Sequence, residues 1–297
     1  MRFELRSALP RLRQRVLPVA AVLGVTLLVW YLGCIALNAQ GAIERVLSNR
    51  PGWSTADLIG VTWSMERPVL PAPHQVAADL WSSIVDWPLD SPRNLLLHVA
   101  VTAQSTLVGF VFGTLFGVLL AAAIVHSRTL DRALLPWIVA SQTVPVLAIA
   151  PIVLVILGTL GFSGVAPKAA IAMYLCFFPV TVAMVQGLRS PQRIETELMH
   201  TYAATRLQAF WMLRLPAALP YLFPSLRIAI AAGLVGAMVA ELPTGAQAGL
   251  GAKLLTGSYY GNTVGIWSAL VMSALLGLGL TAAVAAVERL MLRERRT

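Results

Sequence analysis

The chain has 297 residues, 58% of them hydrophobic and only 12% charged, and its mean hydropathy is +0.76. A soluble domain of this length needs far more charge to coat its surface, so the composition excludes a water-soluble globule and makes lipid the main solvent. The formal charge of +9 and pI near 10.4 raise nucleic acid as a partner, but the basic residues sit between apolar runs, with no basic face and no interleaved aromatics, which excludes it.

A membrane-crossing helix needs ~20 mostly apolar residues to traverse ~30 Å of hydrocarbon. In chain order, a basic tail with Arg2, Arg6, Arg11, Arg13 and Arg15 precedes the first such run, Val16 to Leu37. That run is longer than a ~7–15-residue signal core, and no small-x-small cleavage site follows. It is therefore expected to be an uncleaved anchor. Residues 38–93 form a long Pro- and Trp-rich outer loop in which Leu70-Pro71-Ala72-Pro73 opens a short helix from His74 to Val85. Further spans are predicted at Val99–Val125, Leu134–Leu157, Ala169–Leu188, Ile228–Ala240 extended back toward Pro220, and Val264–Val287. The expectation is an all-α polytopic membrane protein with about six transmembrane helices. It divides into a tail and first helix (1–37), a periplasmic loop (38–93) and a core (94–297) carrying a cytoplasmic segment at 189–216.

Charge asymmetry orients the chain. With the N-terminus inside, inner segments carry 16 Lys and Arg and outer segments 6, so the positive-inside rule places both termini in the cytoplasm. The inner segment Arg189–Pro216 contains Glu195, Glu197 and four arginines, with apolar residues at helical spacing. That pattern suits a docking element better than a tether. Pro216, Pro220 and Pro224 recur every four residues behind it, limiting helix continuation, so the segment is expected to enter the membrane stiff and bent.

Few residues offer chemistry. Cys34 and Cys176 lie inside apolar runs and make neither a disulfide framework nor a metal site. The only lysines, Lys168 and Lys253, follow Pro167 and Ala252, so no Gly-Lys-Ser/Thr phosphate loop exists and any ATP hydrolysis belongs to another chain. Gly161-Phe162-Ser163-Gly164 matches the short motif of intramembrane serine proteases, yet no histidine is well placed as its base, and a tight turn between spans is the simpler reading. Glu241 is the one acid near membrane depth; it is read either as an interfacial group, partly hydrated or paired, or as part of a relay. Gln104, Gln142 and Gln186 are expected to bridge helices or to line a solute pathway. Gly109, Gly113 and Gly117 put a smooth stripe on one face of the second span, as close helix packing requires.

Glu197-Leu198-Met199-His200-Thr201-Tyr202-Ala203-Ala204-Thr205-Arg206, running on to Leu215-Pro216-Ala217-Ala218-Leu219-Pro220, resembles the cytoplasmic signature loop of ATP-binding-cassette (ABC) importer permeases. Counted back from Leu215-Pro216, the family's Glu falls on Glu197 and its Gly on Ala203, while Leu198 and Met199 replace two alanines. The resemblance runs from about Leu70 to the C-terminus. Gln142-Thr143-Val144-Pro145, Phe178-Pro179-Val180, Pro220–Ala229, Ala240-Glu241 and Gly249-Leu250-Gly251 are similar to the nitrate/sulfonate/taurine branch. Pro243–Gly251 and Gly257–Gly261 lean toward its pyrimidine and thiamine-precursor members.

The resemblance implies the type I importer permease fold in the bacterial inner membrane, without catalysis, metal or cofactor in this chain; ATP and magnesium would be bound by partner ATPase subunits. It further implies a periplasmic or lipid-anchored solute-binding protein, and a second permease that is either another copy or a similar paralogue. Glu197, Leu198, Met199, Ala203, Ala204, Arg206, Leu215 and Pro216 would form the ATPase-coupling loop, and Gln104, Gln142 and Glu241 are candidates for the solute pathway. The alternative class is an ion-coupled secondary transporter, which typically carries paired broken helices and buried ion-coupling acids; neither is evident in the sequence.

Overall fold

A computed structural model describes residues 2–48, 50, 52–243 and 248–293. Twelve α-helices follow in order: α1 Arg2–Ala42, α2 Thr55–Ser64, α3 Pro73–Val85, α4 Leu95–His126, α5 Arg128–Ser141, α6 Val146–Thr159, α7 Val165–Leu188, α8 Arg193–Thr201, α9 Arg206–Ala209, α10 Leu215–Glu241, α11 Leu250–Tyr260 and α12 Thr263–Arg293. No strand occurs among the described residues. Among the described residues, five helical stretches are long and apolar enough to cross a membrane, and six if the bent pair α5–α6 counts as one span.

The third expected span, Leu134–Leu157, is not one helix. It breaks at Gln142–Pro145, and α5 meets α6 at 104°. Pro145 has no N–H to continue the ladder, and it disfavours the helical conformation at Val144. The prolines further along the chain behave differently. Pro220 and Pro224 lie inside α10 without ending it, as do Pro151 in α6 and Pro179 in α7. Within a bilayer, a helix interrupted by proline is still the best way to satisfy the remaining backbone groups. The segment expected to enter the membrane bent carries a π-helical turn at Phe210–Arg214, which runs directly into Leu215 and Pro216 at the start of α10.

Contacts divide the chain into two units: residues 1–87 with 256–269, and residues 88–255 with 270–297. In the first lies most of the expected 38–93 loop, and its described residues are largely helical. Ser54 opens α2 with a capping box, its hydroxyl and backbone N–H both donating to Asp57 Oδ2, at 2.7 and 2.8 Å. These bonds hold the exposed Asp57 carboxyl below its ordinary pKa. Pro73 is the first residue of α3, one before the expected start, where a missing N–H costs nothing. The buried Asn38 of α1 anchors the connection between α2 and α3. Its amide donates to the carbonyls of Thr62 (3.3 Å) and Leu70 (2.8 Å), and its oxygen accepts from the N–H groups of Val69 and Leu70. All its hydrogen-bonding capacity is used, which a buried amide requires. Trp30 packs tilted against Trp267, with ring centroids 4.9 Å apart, and donates to the Pro71 carbonyl.

The second unit is built on α4, α7 and α10. The glycine stripe of α4 explains the first pairing. A Cβ at Gly109 would lie 2.5 Å from Ala172 Cβ, and one at Gly113 2.6 Å from Cys176 Cβ, so the two backbones touch as the sequence predicts. Gly233 and Gly236 do the same for α10, against Cys176 and Ala172. Cys176, Val180, Met184 and Leu188 of α7, with Ala121 and Ile124 of α4 and Ala218 and Ala229 of α10, form the buried core. Arg227, midway along α10, is ion-paired with Glu288 of α12. Outward-facing Leu115, Leu119, Ile228 and Val235 remain exposed, as expected where lipid is the solvent.

Candidate solute pathway and coupling segment

A cavity of about 640 Å³ opens in the second unit between α4, α6, the α6–α7 turn and α7. Gln104, Leu154, Phe162, Ser163, Lys168 and Ala248 are among its lining residues. Gly161 and Gly164, both at positive φ, make the turn expected there. Ser163 has no catalytic base in His98: that ring is engaged by backbone, with Nε2 donating to the Pro92 carbonyl at 2.9 Å and Nδ1 accepting from the Gly249 N–H at 3.0 Å.

Behind the cavity lies a buried polar cluster. Glu241 is 0% exposed, so of the expected alternatives, hydrated or paired, it is paired. Thr102 Oγ1 donates to it at 2.9 Å and Gly251 N–H at 2.8 Å. Lys168 Nζ stands 3.8 Å from its carboxylate and donates to the Ala248 carbonyl at 3.2 Å. Thr102 Oγ1 in turn accepts from the Leu250 N–H at 2.8 Å. Four side chains on α4, α7 and α10 thus hold the backbone of 248–251 at the cavity's edge. Gly249 has φ +137°, and a Cβ there would lie 2.5 Å from both carboxylate oxygens of Glu241, so only glycine fits. The sequence shows no buried ion-coupling acids and no paired broken segments; among the described residues the structure contains one buried acid, Glu241, and one broken helix pair, and the acid is matched by a lysine.

Of the candidate pathway residues, Gln104 lines the cavity, while Glu241 stands behind it and reaches it only through Lys168. Gln142 caps α5 at the exposed α5–α6 bend and does not line this cavity, and Gln186 is exposed on α7. None of the three amides is buried between helices as interhelical bonding requires. Sequence reasoning missed Lys168, Thr102 and His98; a lysine inside an apolar run was the available signal.

The coupling candidates occupy a helix–turn–helix. Gln192 N–H donates to Glu195 at 2.7 Å at the start of α8. The helix closes with Ala203 N–H donating to His200 O (2.9 Å) and Ala204 N–H to Met199 O (3.0 Å), the two bonds of a Schellman motif. Ala203 has φ +53°, alone among the described non-glycine residues in being positive. This is the left-handed site where glycine is the usual residue, which accounts physically for the glycine that the signature loop places there. Thr205 then caps α9, its hydroxyl accepting from the Gln208 N–H. Glu197 pairs with Arg193 at 2.8 Å in solvent. Ile194, Leu198 and Tyr202, spaced by four, form an exposed apolar ridge, at 70%, 55% and 76% exposure. Met199, Ala204 and Arg206 line a second cavity instead, and Leu215 and Pro216 begin α10.

Residues 113–293 match the family model described as binding-protein-dependent transport system inner membrane component. The chain is 31% identical over 242 residues to the formylaminopyrimidine transport permease protein of Halalkalibacterium halodurans, covering 80% of this chain and 93% of that one. It is 32% identical to the riboflavin transport system permease protein of Chloroflexus aurantiacus, covering 76% and 80%. The taurine transport system permease protein of Escherichia coli is 28% identical, with 72% and 77% covered. The match covers well over half the chain, and the helices agree with it: the protein belongs to the family of ABC importer permeases, in the nitrate/sulfonate/taurine branch. It is a multi-pass transport component of the inner membrane.

Proposed function

We propose that this permease translocates a small, uncharged, nitrogen-containing heterocycle of the pyrimidine type. The observation that carries this reading is the matching of Lys168 by Glu241 at the cavity's edge. A bare lysine there would favour nitrate or a sulfonate; a neutralised one leaves an apolar cavity with an amide, a hydroxyl and the Phe162 ring. Those groups suit a planar molecule with donors and acceptors on its edge. The relatives named for formylaminopyrimidine and riboflavin, both heterocycles, agree with this chemistry. Gln104, Ser163 and Phe162 are the contacts assigned to the solute.

ATP hydrolysis lies in partner subunits that dock on α8, through the Ile194–Leu198–Tyr202 ridge and Glu197. Docking would pass through Ala203, Ala204 and Arg206 into Leu215–Pro216 and α10, shifting the population between outward- and inward-open states. An extracytoplasmic binding protein delivers the solute, a second permease completes the pathway, and both termini face the cytoplasm. The test is uptake by cells expressing the intact operon, with labelled pyrimidine, taurine and nitrate compared. Pyrimidine accumulation that requires this chain is expected; taurine or nitrate uptake without pyrimidine uptake overturns the solute assignment.

A further inference from the structure

The second cavity, of about 520 Å³, lies where the end of α4, the far side of α8 and the α9–α10 junction meet. His126, Arg128, Thr196, His200, Arg206 and Arg214 are in its wall. No Asp or Glu lines it, and none of the three arginines forms an ion pair among the described residues. The acids closest in sequence are engaged elsewhere, Asp131 with Arg189 at 2.8 Å and Glu197 with Arg193 at 2.8 Å. Arg214 is half-buried. Arg128 and Arg206 are exposed, but three guanidinium groups converging in one wall with no acid among them repel one another, and an anion between them relieves that repulsion.

Its depth says which anion. Val125, also in the wall, is the penultimate residue of α4, and Arg214 directly precedes α10, so the cavity sits at the ends of two membrane-crossing helices. Beside it Leu207, Trp211 and Met212 are 64%, 60% and 71% exposed on a short amphipathic stretch, the chemistry of a headgroup-level segment. The cavity-facing residues of α8, Thr196, Met199 and His200, lie on the opposite face from the Ile194–Leu198–Tyr202 ridge, so the cavity is separate from the surface offered to the ATPase.

We propose that this cavity binds the phosphate headgroup of an anionic phospholipid, with Arg128, Arg206 and Arg214 as its ligands. A guanidinium fork matches two phosphate oxygens, and the bound lipid ties α4 to α8 and to the base of α10. The test uses the purified transporter in nanodiscs of phosphatidylglycerol or of phosphatidylcholine, with native mass spectrometry of retained lipid. Wild type is expected to keep phosphatidylglycerol and to unfold at higher temperature in it than in phosphatidylcholine. Replacing Arg128→Gln and Arg214→Gln together removes two ligands and is expected to weaken retention about thirtyfold and to abolish the temperature difference. The Arg128→Gln single change, at an exposed position, reports weaker retention if the double variant fails to fold, and the Arg→Lys pair at both positions should keep part of it. Equal lipid retention by wild type and Gln variants overturns the proposal. So does equal stabilisation in phosphatidylcholine by free inorganic phosphate, which would make the ligand a soluble anion. Lipid retained only when the ATPase is absent would assign the cavity to subunit docking and would also overturn it.

Discussion

Glu241→Gln isolates the charge in the buried cluster from its hydrogen bonds. The amide oxygen still accepts from Thr102 and from Gly251 N–H, but Lys168 loses its counter-charge and keeps only the Ala248 carbonyl while remaining 6% exposed. At 3.8 Å and an effective dielectric of ~20 the lost attraction is about 4 kcal/mol, and removing one member of a buried pair costs about 3–5 kcal/mol in practice. Lys168→Met alone strands the carboxylate and should cost a similar amount. The double change removes both charges, so its cost should fall short of the sum of the singles by on the order of 2 kcal/mol. The assay is thermal unfolding of the purified transporter at fixed scan rate, followed by tryptophan fluorescence. At about 2–4 °C per kcal/mol, each single change lowers the midpoint by roughly 6–20 °C, and the double change restores part of the loss. Additive shifts, or singles within about 1 °C of wild type, would refute the pairing and the neutral-cavity argument that rests on it.

Ala203→Gly relieves a left-handed alanine and should leave stability unchanged or raised by up to about 1 kcal/mol, with transport intact, whereas Ala203→Val should lose about 1–2 kcal/mol and impair ATPase co-purification; a fully active Val variant would remove the argument from the turn. Gly113→Leu drives a side chain into Cys176 and the Met173 carbonyl and should abolish folding or expression, measured as monodisperse yield after detergent extraction. Glu197→Lys breaks only a solvated pair with Arg193, worth below about 0.5 kcal/mol, so normal insertion with lost uptake is expected; wild-type uptake and ATPase binding would exclude Glu197 from coupling. Reporter fusions at Ser64 and after Thr297 should read outside and inside respectively, and the reverse at either would overturn the assigned orientation.

The apolar spans and the glycine stripe were legible in the sequence because each follows from a period or a composition: lipid demands an apolar run, and close packing demands small residues every fourth position. The signature loop was legible as a pattern, and the left-handed backbone at Ala203 gives its small residue a physical reason. The α5–α6 bend was not found, because Leu134–Leu157 carries no charge and hydropathy is blind to direction; Ser141-Gln142-Thr143 and Pro145 marked it, but Pro220 and Pro224 are equally visible and do not break α10. Glu241 was legible as an acid near membrane depth, paired or part of a relay, but its partners were not, since Thr102 and Lys168 lie 139 and 73 positions away along the chain and only the packing of α4, α7 and α10 unites them. Residues 38–93 looked like a loop because their polar and proline residues end up as caps, helix starts and the bonds around Asn38.

The prolines of α10 also set how that helix bends. Pro220 and Pro224 cannot donate to the carbonyls of Pro216 and Pro220, and these missing bonds fall four residues apart, along nearly one line of the helix surface. A rod weakened along one side flexes more readily in the plane through that side than across it. Torque applied at α8 and α9 would therefore reach the membrane-embedded half of α10 as a tilt with a defined heading, steering the wall that carries Gly233, Gly236 and Glu241 along a single arc.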